Sequence, residues 1–342
     1  MSVETPEALR QQGLAYLRTG RAEQAAVCLG KAVQALPDDL DILEGLGRVL
    51  SDMGRSDFAE PWLMRAREGL AKRLAADAGD AAAANRLGVI LQRQGAFEDA
   101  ALLYRDILLR NPGHAAAALN LALCLRGMGR TGEAVDMCRY GIGLTPASSD
   151  AYASLGLLLQ EAARHEEAVA AFDESLRLNP DSLYARWNKS FSLLALGRYE
   201  EGWALHEVGL GAVAMRGRKP FPEKRWQGED ISGRRLLLWA EQGLGDDMQF
   251  IRYAGMCKAR GCSVLVQCPP ALKNLLANCP FIDRLLDDVQ ADDFDIHASL
   301  MSLPYIFGTR VESIPADVPY LFVSEAARAK WAGKVAGDGF KV

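Results

Sequence analysis

The residues of this chain best arranged for chemistry lie in one stretch, Leu236 to Tyr253, which reads L-L-L-W-A-E-Q-G-L-G-D-D-M-Q-F-I-R-Y. An apolar run of strand length, Leu236 to Ala240, stops at a short loop holding Glu241, Gln242, Gly243 and Gly245. An amphipathic pattern then begins at Asp246, with Met248, Phe250, Ile251 and Tyr253 among its larger residues. The spacing predicts a strand, a tight loop and a helix. Glycines in such a loop permit positive φ and close approach of a ligand, and the free N–H groups of a helix start favour an anion such as phosphate. A carboxylate on this turn, Asp246, would stand outside the carboxyl end of a strand, where α/β sheets bind ligands.

Three readings of the turn compete. A dinucleotide site needs G-x-G-x-x-G and an acidic residue at the end of the second strand. The sequence has G-L-G-D-D-M, with Met248 where the third glycine belongs, and its second strand ends Gln267-Cys268, which argues against NAD. A phosphate-binding P-loop is excluded because no Gly-Lys-Ser/Thr follows. A purely structural turn, with Asp246 as N-cap and Asp247 in the first helical turn, is the third reading.

The elements around the turn read as a small α/β domain over residues 234–342. Gly261 stops the first helix; Ser263 to Gln267 is a second strand, Pro269-Pro270 a break, and Ala271 to Asn278 a second helix. Ile282 to Leu286 and Phe294 to His297 are short strands, Leu300 to Phe307 a short helix, and Phe340-Lys341-Val342 a strand just beginning. Such alternation predicts a parallel, Rossmann-like sheet.

Ahead of it, residues 6–208 repeat with a period of 34. The small residue of each first helix is Gly13, Gly47, Gly88, Ala122, Gly156 and Ser190. That of each second helix is Ala25, Ala59, Ala100, Ala134, Ala168 and Gly202. Turn glycines recur at Gly20, Gly54, Gly95, Gly129 and Gly197, and prolines close copies at Pro37, Pro112, Pro146 and Pro180. Small residues let paired helices cross closely, and proline ends them. The pattern matches six tetratricopeptide repeats, so the fold class is an α-solenoid of these repeats followed by the α/β domain. The step from Gly47 to Gly88 is 41, so seven residues are added near 68–80, in a segment of good helix formers that should lengthen the second helix of repeat two. The last repeat holds Trp203 and His206, expected to cap the solenoid, with Trp203 packing on the next domain. Residues 209–233 then form a linker whose basic cluster, Arg216, Arg218, Lys219, Lys224 and Arg225, reads as solvated and whose far end is anchored by Trp226.

Composition narrows the class. With 49% apolar and 24% charged residues the chain can bury cores, and a formal charge of -5 argues against a general nucleic-acid binder. No apolar window approaches a membrane span, and the N-terminus lacks the features of a signal peptide, so a cytoplasmic location is expected. The seven cysteines include no C-x-x-C; Cys257, Cys262 and Cys268 lack the spacing of a zinc site, and no metal is expected.

Two resemblances add to this. The run E-Q-G-L-G-D-D-M-Q-F-I-R-Y, with F-D-I-H-A-S-L-M-S-L-P-Y-I-F-G-T and I-P-A-D-V-P-Y-L, resembles bacterial repeat-containing glycosyltransferases of the two-domain GT-B type, relatives of the lipopolysaccharide heptosyltransferases. The resemblance runs from Trp226 to about Phe322 and, with the repeats, takes in almost the whole chain. It implies that Gly245-Asp246 supplies the carboxylate acting as general base on an acceptor hydroxyl, although Asp247 departs from the uncharged residue usual there. Glu241 and Gln242 could orient that hydroxyl, and His297, at a strand end, could contact the acceptor or remain structural. The repeats resemble those of the O-linked N-acetylglucosamine transferases, in which asparagines two residues before the small residue hold a peptide. The residues there are Gln11, Gly45, Arg86, Asn120, Ser154 and Asn188, so Asn120 and Asn188 keep the pattern and Asn85 is one residue out of step. The expected partner is thus a protein or peptide in the repeat groove. GT-B enzymes bind their nucleotide-sugar mainly in a second, C-terminal domain, so no tightly bound cofactor and little turnover are expected of this chain alone. The alternative is a non-catalytic interaction scaffold.

Overall fold

All six first helices begin where a polar side chain accepts the free N–H groups of the opening turn, the first at Thr5, whose Oγ1 accepts from Ala8 N at 3.2 Å. Asp39 accepts from Asp41 N and Ile42 N, Asp80 from Ala83 N, His114 Nδ1 from Ala117 N, Ser148 from Ala151 N and Ser182 from Ala185 N, all at 2.9–3.2 Å. In the computed structural model, which describes residues 5–213, 224–241 and 243–335, these caps start helices that alternate with the second helices of the repeats. In order they are α1 (Pro6–Arg18), α2 (Ala22–Ala32), α3 (Leu40–Asp52), α4 (Ser56–Ala76), α5 (Ala81–Arg93), α6 (Phe97–Arg110), α7 (Ala115–Gly127), α8 (Thr131–Leu144), α9 (Ser149–Glu161), α10 (His165–Leu178), α11 (Leu183–Ala195) and α12 (Tyr199–Val213). The chain divides into two compact units, Met1–Arg164 and His165–Val342, so α9 closes the first and α10 opens the second.

The turn glycines Gly20, Gly54, Gly95, Gly129 and Gly197 all have φ between 71° and 76°. In the fifth copy Ala163 takes the same left-handed conformation, φ 57°, without being glycine. Close helix crossing explains the small markers: a Cβ on Gly13 would lie 2.6 Å from Leu29 Cγ, and one on Gly88 2.5 Å from the Tyr104 ring. The added residues do lengthen the second helix of repeat two, since α4 runs for 21 residues.

Within the second unit, β1 (Arg235–Trp239), β2 (Ser263–Gln267), β3 (Arg284–Leu286) and β4 (Ile296–Ser299) form a parallel sheet in the order β3-β2-β1-β4. Leu236, Leu238, Val264, Val266 and Ile296 point to one face and pack with α13 (Leu244–Phe250), α14 (Tyr253–Ala259) and α15 (Pro270–Leu276). Leu237 and Leu265 point to the other, under Phe294 and Val289.

Several boundaries differ from expectation. The single helix expected after β1 is interrupted between α13 and α14, where Arg252 donates from Nε to the carbonyl of Gln249 at 2.8 Å. Pro269-Pro270 opens α15 rather than breaking the chain, because proline at the first helical position loses no hydrogen bond. Leu300 to Phe307 is a 3-10 turn, Leu300–Ser302, followed by α16 (Leu303–Ile306); α17 (Glu325–Val335) is the last described helix. The far end of the expected linker belongs to the core of the α/β elements. Trp226 is buried, with its N–H on His297 O at 2.8 Å, and Ile231 is buried too. Lys224 donates to the carbonyls of Ala291 and Phe294, and Arg225, though exposed, pairs with Glu207, so each of these two basic residues has a partner. Arg216, Arg218, Lys219 and the strand expected at Phe340-Lys341-Val342 lie outside the described residues.

Candidate functional site

Strand order turns back between β1 and β4, since β1 neighbours β2 on one side and β4 on the other. The carboxyl ends of two such strands leave a crevice where their following loops diverge. The loop after β1 supplies Glu241, Gly243 and Asp246, and the turn after β4 supplies Ser299 to Ser302.

Gly243 is the N-cap of α13, in extended conformation with φ -90°, and Gly245 lies inside the helix. Neither adopts the positive φ expected of them, because the turn is made by extended backbone running straight into the helix. Asp246 therefore stands at the third helical position rather than at the cap, and its Oδ2 accepts the N–H of Gly243 at 3.2 Å. This is the reciprocal half of a capping box. Asp246 is half-buried, Glu241 is half-buried, and Asp247 is only 1% exposed. Of the two adjacent carboxylates, Asp246 is thus the one with access to solvent. Gln242 lies outside the described residues.

His297 is not in this loop. Its place in β4 is opposite Leu237, on the face away from α13, and it is buried with Nδ1 accepting from Trp239 Nε1 at 3.1 Å and the ring edge-on to Phe294. Strand alternation puts it there: the residue beside Leu237 must share the face of Leu237. Nor do the three asparagines act alike. Asn120 Nδ2 donates to Asn85 Oδ1 at 3.0 Å, whereas Asn188 is buried and donates to Tyr184 O in its own helix at 2.9 Å. Among the described residues no group of His, Cys, Asp and Glu is arranged to hold a metal ion.

The first half of α12 packs beside the same elements. Trp203 meets Phe250 of α13 edge-on at 5.8 Å, as expected of it, and Glu207 accepts from Ser302 Oγ at 3.2 Å while pairing with Arg225. His206 lies between them, 1% exposed, with the rings of Trp187, Phe191 and Trp203 centred 6.4, 5.7 and 5.6 Å away. Neither ring nitrogen has a hydrogen-bond partner among the described residues. Burial pushes its pKa down to about 4, and the negative charge of Asp246 partly opposes that shift. From the sequence, His206 is expected to be part of an end cap. Its place beside Asp246 depends on how α12 docks, which no local pattern reveals.

Residues 85–149 and 154–212, which span α5 to α12, match the family model of the tetratricopeptide repeat. These residues are therefore tetratricopeptide repeats, a class suited to protein–protein contact, and the preceding helices show the same turn glycines and caps. A stretch of 51 residues is 41% identical to Protein FlbA of Caulobacter vibrioides; it covers 15% of this chain and 9% of that protein. A solved tetratricopeptide-repeat protein of Parabacteroides merdae aligns over 62% of this chain and 80% of its own at 16% identity, with a TM-score of 0.49. A thermophilic repeat protein of Thermus thermophilus aligns over 56% of this chain and 100% of its own at 21% identity, with a TM-score of 0.46. No described helix is long and apolar enough to cross a membrane.

Proposed function

We propose that the repeats hold a protein or peptide and present it to the α/β domain, which serves as the acceptor half of a Rossmann-like, GT-B type glycosyltransferase. In this reading the acceptor hydroxyl attacks the anomeric carbon of a nucleotide-sugar, the nucleotide leaves with the bonding electron pair, and Asp246 takes the hydroxyl proton. The donor would be held by a further domain of the same type. The observation that carries the reading is the position of the Gly243–Asp246 turn. It lies at the carboxyl end of β1 beside the reversal of strand order, and Asp246 is the more accessible of the paired carboxylates.

A second reading, a scaffold without chemistry, is favoured by one specific feature: the Asp246 carboxylate already caps Gly243, and α12 lies against that end of the sheet. Deletion of the gene in the source cell, followed by restoration with wild type or Asp246→Asn and mass spectrometry of protein glycans, separates the two. Loss of a set of protein-linked sugars on deletion, with return only on wild-type restoration, supports transfer with Asp246 as base. Return with the Asn variant leaves a scaffold, and glycans indifferent to deletion refute the glycosyltransferase reading.

A further inference from the structure

Within the first unit a cavity of about 380 Å³ opens among α1, α3 and α5, at the small end of the range of about 300–1,000 Å³ usual for ligand pockets. Such a space takes one or two side chains. Its apolar lining includes Leu14, Leu17 and Val89, and it is open partly because Gly45 stands where asparagines occur in two other repeats. A Cβ at Gly45 would press on Leu29 Cδ1 at 2.8 Å and Leu17 Cδ1 at 3.1 Å.

The charged lining is unbalanced, with Arg18, Arg48, Arg86 and Arg93 against Asp41 and Glu44. Both carboxylates are already engaged. Asp41 accepts from Arg86 at 2.6 Å and pairs with Arg10, and Glu44 accepts from Arg86 at 2.8 Å. Arg93 pairs with Asp52 at 3.2 Å, whereas Arg18 and Arg48 are exposed and have no ion pair among the described residues. On a chain of formal charge -5 this is a local cationic rim around an apolar floor.

We propose that this cavity binds a linear segment of a partner protein in which an apolar side chain, seated on Leu14, Leu17 and Val89, is flanked by carboxylates that pair with Arg18 and Arg48. The charge of the rim selects acidic flanks over basic ones, and the cavity volume selects a single anchor over a folded surface. The proposal rests on the scaffold part of the function above and makes no use of Asp246. It also moves the contact toward the N-terminal copies, away from the Asn120 and Asn188 positions.

The test uses the full chain and a fluorescein-labelled peptide with one central leucine and a pair of glutamates on each side, followed by fluorescence anisotropy. Comparison peptides carry lysines for the glutamates, or serine for the leucine. The acidic leucine peptide should bind at least about tenfold more tightly than either, and should weaken from about 0.1 M to about 1 M salt as the screening length shortens from about 10 to about 3 Å. Arg48→Glu should weaken it at least about tenfold, while Arg105→Glu, an equal charge change on an exposed position of α6 outside the cavity, should not. Melting curves of both variants check that they fold. Binding that ignores flank charge, or is equally lost in Arg105→Glu, overturns the proposal. So does self-association in sedimentation that Arg48→Glu abolishes, since the occupant would then be a second copy of this chain. Failure here with sugar transfer still dependent on Asp246 would leave the enzymatic reading intact; glycans indifferent to gene deletion would leave this pocket intact.

Discussion

Replacing His206 by phenylalanine should remove a specific sensitivity of the second unit to acid. The buried imidazole has its pKa lowered from 6.5 to about 4, so both folded and unfolded states are neutral at pH 7.5 and this part of the stability is fully present there. As pH falls below the unfolded value the unfolded chain takes up a proton that the folded chain refuses, and stability is lost until pH reaches about 4. The gap of about 2.5 pH units corresponds to about 3 kcal/mol in full, and at pH 5 to about 2 kcal/mol. Exposure of 1% gives no reason to discount this for solvent screening. Phenylalanine keeps a ring against Trp187, Phe191 and Trp203 and has nothing to protonate. Urea unfolding of both proteins, followed by tryptophan fluorescence at pH 7.5 and pH 5, isolates the effect as a double difference, since every other titrating group is shared. The expected result is about 2 kcal/mol in favour of the variant at pH 5 relative to pH 7.5. A double difference below about 0.5 kcal/mol, or an NMR titration of His206 centred near its unperturbed pKa, would refute the burial argument.

Other outcomes follow from particular residues. Ala163→Gly should stabilise the first unit by up to about 1 kcal/mol in thermal unfolding, because Ala163 alone among the described non-glycine residues has positive φ, and a left-handed alanine costs more than the entropy a glycine adds to the unfolded chain. Trp226→Ala should cost about 3–5 kcal/mol, read by chemical denaturation, since the buried ring packs edge-on against Phe307 and its Nε1 donates to Glu229 O at 2.9 Å. Asp246→Asn should lower stability by about 1 kcal/mol or less, weakening only the cap on Gly243, and should move the His206 pKa still lower because the charge that raises it is gone; NMR titration reads the second effect.

Repeated local demands were legible in the sequence. Positive φ calls for glycine at Gly20, Gly54, Gly95, Gly129 and Gly197, close helix crossing calls for Gly13 and Gly88, and a parallel sheet calls for apolar runs such as Leu236 to Leu238. Each rests on a neighbour a few residues away or on a period that recurs, so the chain carries the signal in one dimension. The caps at Asp39, Asp80, His114, Ser148 and Ser182 all lie just ahead of their helices, and that of His114 is made by a ring nitrogen, an uncommon cap.

The site was less legible. Asp246 and Asp247 are adjacent and chemically alike, yet one is half-buried and the other only 1% exposed, which depends on the angle at which α13 meets the sheet. His297 looked available at a strand end and is instead held by Trp239, because the pairing register of β1 with β4 decides its face. His206 packs on Trp187 and Phe191 of the last repeat as an end cap should, but that it also feels the charge of Asp246 depends on where α12 docks. The helical repeats, their turns and the strand-loop-helix at Asp246 follow from local backbone geometry and periodic burial, which a linear chain already encodes. Which carboxylate meets solvent, where His206 and His297 lie and where a cationic cavity opens among α1, α3 and α5 come from packing in three dimensions, because those depend on side chains distant in sequence meeting in space.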